Sequence, residues 1–146
     1  MKKIFILNTL IGILFISCTK DDCDNSTDET ICDSISEIIE QEDFNDIDTS
    51  TYVITQVELN EHCLSITMGA SGCNPEFWGL DLYSIDAFFT IFPLQRAVKV
   101  NLRNDQLCEA YFEKLISFDL TPFQIEGQNE LPLNIESWNE QIIYEY

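Results

Sequence analysis

The side chains able to do chemistry in this chain of 146 residues are six cysteines, a single histidine and 26 acids. His62 stands between Glu61 and Cys63, the residue types of a cysteine–histidine nucleophilic pair. Such a pair must meet, yet neighbours on a strand point to opposite faces, so His62 reads as a turn or surface residue. The cysteines lack C-x₂-C spacing, and one histidine adds little, which argues against zinc. Asp22, Asp24, Ser26 and Asp28 alternate as in a calcium loop. Thr27 replaces the glycine required at the sixth position, and Asp33 replaces the bidentate glutamate at the twelfth, so a solvated stretch is the better reading. No nucleophile elbow, phosphate loop or zinc-protease motif occurs. Carboxylate pairs are unavoidable among so many acids and identify no hydrolytic centre. These residues lead us to expect no catalytic, cofactor or metal site.

Charge restricts the partners. The chain carries seven basic residues against 26 acidic ones, a formal net charge of −19. Such a polyanion repels nucleic acid and anionic headgroups. Acids are dense between Asp21 and Asp48, where apolar residues are few, and like charges there favour an extended, solvated stalk.

The N-terminus carries an address. Lys2 and Lys3 precede an apolar run over residues 4–16, interrupted at Asn8 and Thr9. That run has the length of a signal-peptide core and is too short for a membrane span of about 20 residues. Leu14-Phe15-Ile16-Ser17-Cys18 resembles the lipobox of bacterial lipoproteins, although Phe15 stands where leucine is usual. The resemblance implies cleavage before Cys18 and its lipidation, which would anchor the chain without a transmembrane helix. Lys20-Asp21-Asp22 is similar to the surface-export signal of Bacteroidota lipoproteins and implies an outer-membrane protein facing the cell exterior. Asp33-Ser34-Ile35 resembles the O-glycosylation acceptor of the same group, with Ser34 as the acceptor.

If lipid takes Cys18, five cysteines remain, which an exported protein can oxidise. Several arrangements of two bridges and one thiol exist. The preferred one joins Cys73 to Cys108 and Cys23 to Cys32, leaving Cys63 buried and unpaired. The first bridge would contribute about 2–4 kcal/mol.

The spacing of apolar residues predicts the domain that these features serve. Ile35, Ile38 and Ile39 have helical spacing, suggesting a short helix or an edge segment. From Tyr52 the period becomes two. Alternating runs begin near residues 52, 64, 78, 98, 112, 131 and 142, with turns at Asn60-Glu61, 71–75, Asn104-Asp105 and 127–129. About seven short strands predict an all-β protein, an antiparallel, immunoglobulin-like β-sandwich, with a small barrel as the alternative. The expected organisation is a signal peptide at 1–17, a disordered acidic tether at 18–50 and a β domain at 51–146.

Within that domain, Ser71-Gly72-Cys73, residues 104–110, residues 117–122 and Tyr144-Glu145-Tyr146 are similar to small uncharacterised Bacteroidota lipoproteins. The similarity covers residues 52–146 and brings no activity with it. Tyr52, Phe77, Trp78 and Trp138 read mainly as core, whereas the unbroken apolar run at 87–93 could be a contact loop. The expected function is a non-enzymatic, lipid-anchored surface module with a protein or glycan ligand. An accessory hydrolase or carbohydrate-processing protein and an inhibitor or immunity lipoprotein are the rival readings. A hydrolase would require a cleft near 104–109 or 88–93.

Overall fold

Apolar residues at every second position give most strands one oily face, and the strands of the described residues stack into two sheets in the computed structural model. It describes residues 31–86 and 94–146. In chain order the elements are β1 (Ser34–Ile35), β2 (Glu37–Ile39), α1 (Gln41–Asp46), β3 (Tyr52–Asn60) and β4 (Cys63–Ser71). A 3₁₀ turn (Pro75–Phe77), β5 (Gly79–Ile85), β6 (Arg96–Arg103) and β7 (Tyr111–Asp119) follow. A second 3₁₀ turn (Thr121–Phe123), β8 (Glu130–Ile135) and β9 (Ile142–Glu145) complete the chain. One sheet has the order β1-β7-β4-β3, and the other β2-β5-β6-β8-β9.

The seven strands expected from alternation are β3 to β9. Their inward residues form one core: Leu64, Ile66 and Met68 from β4, Leu82 from β5, Val98 and Val100 from β6, Phe118 from β7 and Leu131 and Leu133 from β8 are all fully buried. Removing the Phe118 ring would cost about 3–5 kcal/mol, because rigid neighbours on both sheets cannot close the void. The Asn60-Glu61 turn is also present. Asn60 pairs with Cys63 across a two-residue loop, and Glu61 takes the positive φ of 52° that such hairpins need.

Three expectations change. First, the sandwich is mixed rather than purely antiparallel: β1 pairs with β7, β2 with β5 and β6 with β8 in parallel. Second, residues 34–39 take the edge-segment alternative rather than the helix, as one edge strand in each sheet, and are ordered within the stretch expected to be tether. This segment leaves one sheet and joins the other at Ser36, which is buried and directs both its N–H (3.0 Å) and its Oγ (2.7 Å) to the Asp119 carbonyl. Third, α1 begins beyond the isoleucines and buries Phe44. Lys99 fastens it: its Nζ lies 4.9 Å from the Phe44 ring centre, 3.4 Å from the Ile47 carbonyl and 3.5 Å from the Glu136 carboxylate. No alternation marks any of these contacts, because each is made with residues distant in sequence.

The cysteine pairing is corrected as well. Cys73 is bridged to Cys108, but Cys32 is bridged to Cys63 and not to Cys23. Cys63 opens β4 opposite Asp119, and the crossing of residues 34–36 past Asp119 carries Cys32 to it, with Cα atoms 5.5 Å apart. Cys63 is therefore buried, as expected, but not unpaired.

Candidate functional site

The Cys73–Cys108 end of the sandwich is built from two loops held by more than the bridge. The Asn74 side chain accepts from the Glu76 N–H (3.0 Å) and starts the 3₁₀ turn, which Pro75 favours by its fixed φ. Gln106 reaches across from the other loop. Its Oε1 accepts from the Cys73 and Asn74 N–H groups and its Nε2 donates to the Asn74 carbonyl at 2.8 Å, so one side chain satisfies three backbone groups. Asn104 donates to the Ser71 carbonyl (2.8 Å). Gly72 is required here, since a Cβ would meet both the Trp78 indole and Gln106.

This rigid end exposes apolar side chains. Phe77 is 79% exposed, Leu107 97% and Tyr111 56%, and Leu115, at the middle of β7, is 65% exposed. Leaving such residues in water has a cost, which binding would recover. Tyr111 lies across Gly69 of β4, where a Cβ would fall on its phenol.

Beside these residues, among the described residues, β7 presents an open edge. The Gly72 N–H donates to the Ala110 carbonyl (2.8 Å), so the even-numbered peptides of β7 face β4. The odd-numbered ones face away: the Ser117 N–H donates to Asp33 (2.8 Å), and the Asp119 carbonyl accepts from Ser36. Among the described residues, β1 is the strand on that side, and it pairs only with Phe118 and Asp119. The outward N–H and C=O groups of Glu113 and Leu115 therefore face a groove of about 490 Å³. Its walls are Asp33 at one end and Pro75 and Glu76 at the other.

The groove is acidic. Asp33, Glu76 and Glu113 line it, and the Lys114 ammonium is turned to the Trp78 carbonyl (3.0 Å). The Asp33 carboxyl accepts from both the side chain and the backbone of Ser117, and these bonds hold its pKa below the usual carboxylate range. It is suited to remain an anion rather than to donate a proton.

The residues singled out from sequence are scattered. Cys18, Lys20, Asp21, Asp22 and Cys23, the remaining residues of the calcium-like spacing up to Asp28, and the 87–93 run lie outside the described residues. Ser34 lies in β1 opposite Phe118 and is half-buried. Trp78 belongs to the core and Trp138 packs against it, whereas Phe77 is exposed. Tyr52 is core too, donating to the Val100 carbonyl (2.7 Å); burial pushes its phenol pKa upward. The Cys63 sulfur is committed to Cys32, so the neighbouring histidine has no thiolate to activate. His62 Nδ1 instead lies 2.8 Å from the hydroxyl of buried Tyr144, which also accepts from Gln124 Nε2 (2.8 Å). This contact links the β3–β4 hairpin to the last strand. Gln106 and the β7 edge were missed because a glutamine in a loop and an edge position carry no sequence signature.

No family profile and no curated protein matches the chain. Two solved structures are similar in fold. One is a protein of unknown function, DUF1344, from Bacteroides vulgatus, with TM-score 0.52 and 12% identity over 77% of this chain and 56% of its own. The other is a putative toxin related protein from Parabacteroides distasonis, with TM-score 0.50 and 14% identity over 77% and 58%. The chain thus spans less than two thirds of either, and at such identities the likeness extends to the two-sheet architecture alone.

Proposed function

We propose that this protein is a lipid-anchored module of the outer cell surface that binds a partner through the Cys73–Cys108 end of its sandwich. One observation carries the binding part. Phe77, Leu107 and Tyr111 are exposed on and beside loops that a disulfide and Gln106 hold in place, with Leu115 exposed further along β7. Apolar groups on a pre-ordered frame lose little conformational freedom on association, so their burial is retained as affinity. The anchoring part is supported by the lipobox-like residues ending at Cys18 and the acidic triplet after it.

Two experiments test the reading. Cys18→Ser should release the protein from membranes, and alanines at Lys20, Asp21 and Asp22 should leave it anchored but shielded from protease added to intact cells. Continued anchoring of the first variant, or unchanged surface cleavage of the second, refutes the corresponding part. For binding, cross-linking of the full chain in its own cells should yield adducts that Phe77→Ala with Leu107→Ala removes. Adducts unchanged by those substitutions would move the contact elsewhere on the protein.

A further inference from the structure

We infer that the β7 edge is a strand-addition site, and that its occupant is an extended peptide segment of a partner protein with basic residues between apolar ones. This rests on the binding-module reading and specifies the ligand. Edge peptides of Glu113 and Leu115 face the groove, with the spacing of an unfinished ladder, and an added strand would complete it. Side chains of that strand would alternate between Tyr111 and Leu115 on the open face and the Pro75 wall.

The long outer edge of the same sheet is less suited. β3 carries a bulge between Ile54 and Gln56, which breaks the register an incoming strand needs. The β7 edge has a regular register from Cys63–Asp119 to Ser71–Tyr111.

Charge selects the occupant. Asp33, Glu76 and Glu113 surround the groove, and Asp33 is held ionised by Ser117. A second copy of this chain, at a formal net charge of −19, is repelled. The chain's own acid-rich stretch before Asp33 is repelled for the same reason. The Cys32–Cys63 bridge ties Cys32 to the start of β4. A cationic strand gains from all three carboxylates.

The test uses the full chain in detergent and a short synthetic peptide alternating lysine and valine. Amide exchange followed by NMR should slow at Glu113 and Leu115 by about tenfold or more when the peptide is present, the ratio that about 1.4 kcal/mol of protection produces. The glutamate–valine peptide should give no slowing. N-methylating the peptide residues that face the edge should abolish binding, and N-methylating the alternate ones should not. Glu76→Lys with Glu113→Lys should weaken binding at least about fivefold, the equivalent of about 1 kcal/mol.

Amides of Glu113 and Leu115 already protected in the free protein would overturn the inference, since the chain itself or a second copy would then fill the edge. Failure of the lysine–valine peptide to bind would also overturn it. Equal tolerance of both N-methyl series would overturn strand pairing. If cross-linking still required Phe77 and Leu107 in that case, the binding-module reading would survive without it.

Discussion

Opening the Cys32–Cys63 bridge is the sharpest test of how this sandwich is closed. The bridge spans 31 residues, and closing a loop of that size removes about 3.7 kcal/mol of unfolded-state entropy at 25 °C. Replacing both partners with alanine should therefore lower stability by about 3–4 kcal/mol, an upper figure because unfolded chains retain some structure. For a domain of this size that is a fall in Tm of roughly 10–15 °C. Location matters as much as size. β1 contributes two paired residues and β2 three, so the segment depends on the bridge, on Ser36 at the Asp119 carbonyl and on Asp33 at Ser117. Hydrogen exchange at 36–39 should accelerate far more than at β4 or β6. Opening Cys73–Cys108, which spans 35 residues, should cost a similar amount without loosening 36–39. Guanidinium unfolding with exchange measured residue by residue distinguishes the two variants. A loss below about 1 kcal/mol for the Cys32/Cys63 variant would refute the reasoning. So would peptide mapping that joined Cys32 to Cys23.

Three further outcomes follow from the contacts. Arg96 is buried, donating to the Ile85 (2.6 Å) and Phe123 (2.9 Å) carbonyls, so Arg96→Met should cost about 2–4 kcal/mol in urea unfolding by stranding two acceptors; a loss under about 0.5 kcal/mol would contradict this assignment. Asp33 has a folded pKa below its ordinary 3.8, so its contribution is complete above that pH and disappears as pH falls through the lower folded value. Because Asp33 is exposed, its effect should be well under about 1 kcal/mol, visible as a difference between wild type and Asp33→Asn that shrinks in acid. Gly69→Ala should displace the Tyr111 ring and destabilise by about 0.5–1 kcal/mol in wild type but by less in a Tyr111→Ala background, and an equal loss in both would place the clash elsewhere.

The strands were legible where burial is one-sided. Leu64, Ile66 and Met68 alternate with Ser65 and Thr67, so the core face of β4 can be read directly, and β5 repeats the pattern, whereas β6 and β8 each bury three residues in a row. Ile35, Ile38 and Ile39 left a short helix and an edge segment open, and the structure has the second: an edge strand in each sheet, with the crossing at Ser36. The candidate site was legible only in part. Cys73 and Cys108 marked the loops that frame it, whereas the role of Gln106 depends on a neighbour 33 residues away in sequence.

Cysteine pairing shows the limit most plainly. Proximity in sequence favoured Cys23 with Cys32, but a bridge forms where Cα atoms come within reach, and that depends on which strands lie side by side. The sequence alone determined what can be decided residue by residue: the period of two, the faces it buries, the turns between them and the excess of negative charge. Only the tertiary structure decided which strands pair in parallel, which cysteines meet and which edge remains open. Those are properties of neighbours brought together from distant parts of the chain, and local patterns do not encode them.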